Sequence, residues 1–293
     1  MEESRIIITQ SINKYFGSFH ALKNISVAVG QGEVFGFIGK NGAGKTTFMR
    51  IICGLMKQNS GTVEVMKQHM NIGNLITGYN RIGYLPQNVR FHDKVSAQEI
   101  IDFFAKLRCA DAKESMKFAT ELEIDLGKTV RNLSPGQQRK LQLIIATIGL
   151  PGLLVLDEPT AGLDPMGVQQ VREIIRVLNG KGCTIFISSH VLMELDNLCS
   201  NVAIIEKGEI LYKGLCGSAY EIETEGAINH VIELLPHAQK IKCSLKGDRL
   251  VANIEKHEVP ELLHILYENG IKVFSVKRQG LEALYNNLVK EGA

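Results

Sequence analysis

No apolar run in these 293 residues approaches the roughly 18 that a membrane-crossing helix requires. The longest candidate, around Leu141 to Leu150, is broken by polar residues and stops at glycine and Pro151. Any link to a membrane is therefore expected to come through a partner. Net charge is also nearly absent: 33 Lys and Arg against 31 Asp and Glu leave +2. The chain as a whole lacks the basic excess of a nucleic-acid binder, and no nucleic acid is expected as a partner. The N-terminal MEESRIIITQ is acidic and then apolar for only three residues, which is not the pattern of a secretory signal. The six cysteines (Cys53, Cys109, Cys183, Cys199, Cys216 and Cys243) form no CxxC pair. They are expected to be free, buried thiols of a reducing compartment rather than a metal site. Internal repeats and low-complexity tracts are missing too. What remains is the composition of an ordinary folded protein, 45% hydrophobic and 22% charged. Its length suits one large domain, or a medium one with a smaller one attached.

Short apolar runs alternate with amphipathic stretches. Strands are expected at Ile6–Thr9, Ile25–Val29, Val34–Ile38, Thr62–Val65, Arg81–Tyr84, Leu153–Leu156 and Thr184–Ser188. Helices are expected at Lys45–Leu55, across about 96–147 with a break near 127–134, and at Val168–Leu178 and Val191–Cys199. Strands alternating with helices imply an α/β fold with a mostly parallel sheet covered on both faces. After about Gly217 the pattern changes. Strands at Ile228–Leu235, Lys240–Ser244, Arg249–Ile254 and Lys272–Val276, with helices at Val259–Asn269 and Leu281–Glu291, read as a small separate α+β domain. The expected division is 1–217 and 218–293.

The chemistry concentrates in two places. Gly39-Lys40-Asn41-Gly42-Ala43-Gly44-Lys45-Thr46-Thr47 satisfies GxxxxGK[ST] and stands between a buried strand and a helix. Glycines let backbone N–H groups curl around phosphates, and the helix aims its positive end at the same anion. Lys45 is suited to the β- and γ-phosphates, and the Thr46 hydroxyl to Mg²⁺. The second place is the end of Leu153–Leu156, where Asp157 and Glu158 follow four apolar residues. Ligands of parallel sheets sit at that edge. Asp157 is suited to hold the metal through water, and Glu158 to orient or deprotonate an attacking water.

Further short motifs follow in a fixed order: Leu85-Pro86-Gln87, Leu133-Ser134-Pro135-Gly136-Gln137, the Asp157-Glu158 pair, Ala161-Gly162-Leu163-Asp164 and Ser188-Ser189-His190. With the glycine loop, this set resembles the ATP-binding subunit of an ABC transporter over about Ile8 to Gly214. The resemblance implies a P-loop NTPase fold in which an antiparallel β subdomain and a helical subdomain (about 90–147) join the parallel core. It implies ATP hydrolysis with Mg²⁺, a second cassette (identical or not), and an integral membrane permease that holds the chain at the cytoplasmic face of the cell membrane. It implies that Gln87 reaches the metal and the attacking water. It also implies that His190 bonds the γ-phosphate, and that Asp164 lies between cassettes. A plain helix N-cap before Pro165 is the alternative reading of Asp164, and both can hold together. Ser134, Gly136 and Gln137 would press on the ATP of the opposite subunit.

This sequence departs from the family's LSGGQ by placing Pro135 at the first glycine. One N–H is lost, although proline is well tolerated at the first helical position. Adenine would stack on an aromatic residue upstream of the loop, with Phe16 as first candidate and Tyr15 as second. No NKxD guanine signature follows the loop. The segment Ile204–Ile210 with Gly214, and the stretch Gly280–Tyr285, resemble the branch that exports drugs, antibiotics and polysaccharides. Rival readings are a soluble ABC ATPase of translation or DNA maintenance, and an ATP-occupancy switch with little hydrolysis.

Overall fold

The computed structural model describes residues 4–69, 81–196, 198–216, 219–225, 243–246, 249–254, 256–281 and 285. Two compact units are present: Met1–Val191 with Leu198–Gly214, and Leu192–Asn197 with Leu215–Ala293.

The first unit is built on a six-stranded sheet. Its strands are β4 (Val34–Ile38), β7 (Ile82–Leu85), β8 (Leu153–Asp157), β9 (Thr184–Ser189), β10 (Asn201–Glu206) and β11 (Glu209–Leu215), in the order β11-β10-β4-β9-β8-β7. The pairs β10·β4, β4·β9, β9·β8 and β8·β7 are all parallel. Every residue of β4, β8 and β9 is buried, as a sheet covered on both faces requires. β10 and β11 were not expected as strands. They form a hairpin at the edge, turned by Lys207 and Gly208, both at positive φ, the conformation a two-residue hairpin turn demands.

A second, antiparallel sheet holds β1 (Arg5–Phe16), β2 (Phe19–Ile25), β3 (Ala28–Gly30), β5 (Ser60–Val65) and β6 (Gln68–His69). β1 is three times the length expected. A bulge hides it: Ser11 has φ 48°, and the pairing to β5 slips between Gln10 and Asn13. The inward set Ile7 and Thr9 therefore resumes at Ile12, out of step with simple alternation.

Helix α1 (Lys45–Ile52) leaves the end of β4 and stops three residues short of the expected Leu55. Cys53 caps it, and Gly54 turns the chain at φ 68°. The helical stretch is α2 (Ala97–Leu107), α3 (Lys113–Glu121) and α4 (Pro135–Thr147). An additional break at 108–112 contains Cys109 at φ 48°. Helix α5 (Pro165–Gly180) runs longer than expected at both ends, and α6 (Leu192–Leu195) is shorter than expected.

Four phenylalanines bind the sheet to α1. Phe37 stacks on Phe48 with centroids 4.9 Å apart, and Phe186 meets Phe35, Phe37 and Phe48 at 5.5, 5.5 and 5.8 Å. All four are essentially inaccessible to solvent. Each such side chain contributes about 1.5–3 kcal/mol through burial. This cluster fixes the start of α1 against β4 and β9, from which the site is built.

The second unit has a four-stranded antiparallel sheet in the order β13-β14-β12-β15: β12 (Ala219–Thr224), β13 (Cys243–Lys246), β14 (Arg249–Asn253) and β15 (Val273–Gln279). Helix α7 (Val259–Glu268) buries Leu262 and Leu266 in one core with Tyr220, Ile222 and Leu250. β12 was not expected. The expected strand Ile228–Leu235, the start of Lys240–Ser244, and nearly all of the helix Leu281–Glu291 lie outside the described residues.

The cysteines form no disulfide, but they are not uniformly buried. Cys53, Cys183 and Cys199 are, Cys109 is exposed, and Cys216 and Cys243 are intermediate. The cause at Cys109 is its place in the positive-φ turn after α2.

Candidate functional site

Parallel register brings the motifs together before any side chain is considered. Phe37 and Ile38 of β4 lie level with Ser188 and Ser189 of β9, and Asp157 of β8 lies level with Ser188. Three neighbouring strands therefore end at one height, and their following loops share one edge. The helix N-terminus of α1 opens on that edge.

The loop 39–44 is glycine-dependent at two points. A Cβ on Gly39 would lie 2.3 Å from the Ile205 carbonyl oxygen. Gly44 sits at φ 111° as the residue before α1, where a Cβ would also meet Leu22 at 2.7 Å and the Ala21 carbonyl oxygen at 2.9 Å. Both positions exclude any other residue without backbone movement. Lys45 follows, and its side chain is only 5% exposed. Its Nζ donates to the Gly39 carbonyl at 2.7 Å and the Lys40 carbonyl at 3.3 Å, and pairs with Glu158 Oε1 at 3.2 Å. The ammonium is folded back over its own loop. Lys40, Asn41 and Gly42 stand exposed at the rim, while Ala43 is buried beneath them.

Asp157 is fully buried. Thr46 Oγ1 donates to its Oδ2 at 2.6 Å, and Ser188 Oγ donates to its Oδ1 at 2.7 Å. Hydroxyl and carboxylate oxygens in direct contact form the hard-oxygen donor set that suits Mg²⁺. The Asp157 charge reaches its neighbours: burial first, and Asp157 second, push the Cys53 thiol above its ordinary range.

Glu158 adopts φ 52°. For a residue other than glycine such backbone costs about 1–3 kcal/mol and persists only when surroundings enforce it. The Glu158 N–H donates to the Ser188 carbonyl at 3.2 Å and to Ser188 Oγ at 3.0 Å. Its carbonyl accepts from the Ala161 N–H at 3.1 Å and from Arg139 at 2.8 Å. The turn bends the carboxylate to Lys45 on one side and to His190 on the other, where Nδ1 lies 3.0 Å from Glu158 Oε2. Glu158 is buried and His190 is exposed, so the imidazole stands between the carboxylate and solvent.

Lys45, Thr46, Asp157, Glu158 and His190 thus form one contact network. Other residues named from sequence stand apart from it. Gln87 is exposed; its carbonyl accepts from Arg139 at 3.3 Å, and no described contact joins its side chain to Thr46 or Asp157. Phe16 is exposed at the tip of the β1–β2 hairpin, with Lys14 Nζ 5.3 Å from its ring centre. The Tyr15 ring is stacked on His20 at 3.9 Å. Ser134 caps α4: its Oγ accepts from the Gln137 N–H at 3.2 Å, while Gln137 Oε1 accepts from the Ser134 N–H at 3.0 Å. This capping box holds the first turn with Pro135 at its first position and Gly136 half-buried. Asp164 caps α5, accepting from the Gly167 N–H at 3.0 Å. Thr47 is half-buried within the first turn of α1.

Two residues acquire a place that the motifs did not give them. Ser188 bonds both Asp157 and Glu158. Arg139, on α4, is buried and donates to the carbonyls of Pro86, Gln87, Asp157 and Glu158. A signal for Arg139 existed: it falls on the buried stripe of α4 with Leu143 and Ala146, where a charge is out of place. Burial pulls its pKa down to about 10, while Asp157 and then Glu158 oppose that fall, so it remains a cation at neutral pH.

Comparison with known proteins points to one family. The family pattern described as ABC transporter matches residues 22–161. The ABC transporter ATP-binding protein YdbJ of Bacillus subtilis, itself uncharacterized, is 33% identical over 92% of this chain and 90% of its own. The linearmycin resistance ATP-binding protein LnrL of the same organism is 31% identical over 95% of this chain and 96% of its own. Among solved structures, a dimeric post-hydrolysis state of an ATP-binding cassette bound to ADP and Pi is similar in fold. It is 21% identical, with a TM-score of 0.64 over 71% of this chain and 98% of that one. Among the described residues no helix is long and apolar enough to cross a membrane. The chain belongs to the ABC transporter family, as one of its ATP-binding, ATP-hydrolysing proteins.

Proposed function

We propose that this chain powers export of a substrate through a separate integral membrane permease, working as one of two cassettes that close on Mg·ATP. The observation that carries the mechanism is the paired arrangement at the sheet edge. Thr46 and Asp157 share one oxygen cluster, and Lys45, Glu158 and His190 share one chain of polar contacts. In this reading 1–217 is the ATP-binding cassette and 218–293 an accessory domain, a division close to that of the two compact units except that the second unit also takes in Leu192–Asn197 and begins again at Leu215.

In this reading the N–H groups of 39–47 cradle the phosphates, and the adenine rests on Phe16, whose ring is the more exposed since Tyr15 is covered by His20. Lys45 turns from its own loop carbonyls to the β- and γ-phosphates, exchanging the Glu158 contact for the nucleotide. Thr46 and Asp157, with Gln87, would hold Mg²⁺, which would supply neutralisation of phosphate charge. Glu158, released from Lys45 and still beside His190, accepts a proton from the attacking water. His190 donates toward the γ-phosphate as charge spreads over its oxygens. The Ser134–Gly136–Gln137 turn of a second copy closes the open side of the site, with Asp164 between the two cassettes. Hydrolysis removes the γ-phosphate that joined them, and the pair reopens.

Export rather than import is favoured by the relative named for linearmycin resistance, which covers the accessory domain as well as the cassette. The partner places the chain at the cytoplasmic face. Mild-detergent purification from membranes should recover the chain with an integral membrane protein in stoichiometric amount. Recovery with ribosomes or DNA instead would overturn the transport reading.

Pro135 does not disable the signature turn. The capping box is complete with proline in place, and the lost N–H would have been an unpaired donor of the first turn. Pro135→Gly is expected to change steady-state phosphate release by less than about threefold, within the few tenths to 1 kcal/mol that a glycine costs a helix. A gain of tenfold or more would mean that proline impairs the closed site.

A further inference from the structure

Arg139 lies on the signature helix, five residues beyond Ser134, yet its guanidinium reaches neither solvent nor any phosphate-facing group. It is 6% exposed. Nη1 donates to the Pro86 carbonyl at 2.7 Å, the Gln142 Oε1 at 2.9 Å and the Gln87 carbonyl at 3.3 Å. Nη2 donates to the carbonyls of Asp157 and Glu158, the latter at 2.8 Å. One turn along α4, Gln142 Nε2 donates to the Val89 carbonyl at 3.1 Å. β7 and β8 are parallel neighbours, with Leu85 level with Leu156. Arg139 therefore spans the carbonyls of Pro86 and Gln87, just past β7, and of Asp157 and Glu158, at the end of β8 and just past it.

A buried cation is retained only where its surroundings compensate its desolvation. Here the two terminal nitrogens are served by four carbonyls of the segments bearing Gln87, Asp157 and Glu158 and by Gln142 Oε1, while the buried Nε has no hydrogen-bond partner. One of those segments is the strained turn at Glu158, φ 52°. Ser188 fixes the N–H of that turn; Arg139 and the Ala161 N–H fix its carbonyl. The remaining freedom of the Glu158 carboxylate is what the contacts to Lys45 and His190 define.

We propose that Arg139 is a positioning residue for the hydrolytic step: it ties the Pro86–Gln87 and Asp157–Glu158 backbones to the signature helix, and so holds the Glu158 carboxylate in its strained, reactive placement. The proposal rests on the reading of Glu158 as the group that directs water. It makes the helix that faces the second cassette a mechanical part of the first cassette's own water-directing turn. Only a planar guanidinium can serve both carbonyl sets at once, because its two terminal nitrogens diverge; a lysine ammonium offers one point.

The test uses the full chain carrying Arg139→Lys or Arg139→Gln, with phosphate release, calorimetric Mg·ATP affinity and thermal unfolding measured on each. Misplacement of a catalytic group by about 1 Å costs on the order of 100-fold in rate. Arg139→Lys is expected to lose kcat by about that factor while ATP affinity stays within about threefold of native, and Arg139→Gln to lose at least as much. In a Glu158→Gln background, Arg139→Lys is expected to cost little more, since both changes remove the same function. A folded Arg139→Lys with kcat within about threefold of native would overturn the proposal, as would parallel losses of affinity and turnover, or failure of both variants to fold, each of which assigns Arg139 to stability alone. Glu158→Gln run alongside separates the two claims. If it stays active, the reading of Glu158 fails; if it is inactive while Arg139→Lys is normal, only the role of Arg139 fails.

Discussion

Glu158→Gln should bind Mg·ATP and cease to turn it over, with phosphate release reduced by about 10³-fold, within the range that a positioned general base supplies. The amide fits the same space and keeps the turn, since the backbone bonds to Ser188 do not involve the side chain. It cannot accept the water proton. It also carries no charge, so the 3.2 Å ion pair that folds Lys45 back over the loop is lost. ATP affinity should therefore hold or rise, because Lys45 no longer has to leave a carboxylate to reach the phosphates. With hydrolysis blocked, the γ-phosphate persists, and two chains should remain closed on their nucleotides. Phosphate release measured beside sedimentation or light scattering checks both halves. Near-normal release would remove Glu158 from the mechanism.

Lys45→Ala should fail at the earlier step. The loop glycines would still curl, but the triphosphate would meet no cation there, and buried Glu158 would lose its lysine and keep only the His190 contact. Removing one member of a buried pair costs about 3–5 kcal/mol. ATP affinity should fall by about 10²-fold or more, and turnover should fall to background. Thermal unfolding distinguishes this loss from collapse of the fold, because the Phe37, Phe48 and Phe186 cluster that anchors α1 does not use the lysine. Calorimetry that returned native affinity for a folded Lys45→Ala would mean that the loop does not hold phosphate.

Three strands of the parallel core are legible as continuous buried runs, whereas β10 is not, although Val202–Ile205 is buried in the same way. Val34–Ile38, Leu153–Leu156 and Thr184–Ser188 are continuous apolar or small-residue runs, and each is a strand to within a residue. Only the first part of β1 is legible in the sequence, because its bulge at Ser11 puts Ile12 on the wrong beat. The β10–β11 hairpin was overlooked. β11 alternates half-exposed and exposed positions, so the only local sign of a hairpin is the Lys207-Gly208 turn. β12 carries a faint period of two at Tyr220 and Ile222, too short to separate from a loop.

The site shows the same division. Residues that a loop or strand end presents directly, such as Lys45, Thr46, Asp157 and Glu158, were readable because spacing along the chain is what places them. Arg139 was not, because its role depends on two strands ending level beside a helix that follows one and precedes the other. Only the fold brings Pro86 and Glu158 to the same guanidinium.

The most direct measurement is calorimetric titration of Mg·ATP into the native chain and into Lys45→Ala, with phosphate release followed on the same samples. Saturable binding and phosphate release are expected of the native protein, with loss of both when the lysine is removed. A native chain that ignores the nucleotide, or a Lys45→Ala chain that binds and hydrolyses it equally well, would contradict this expectation.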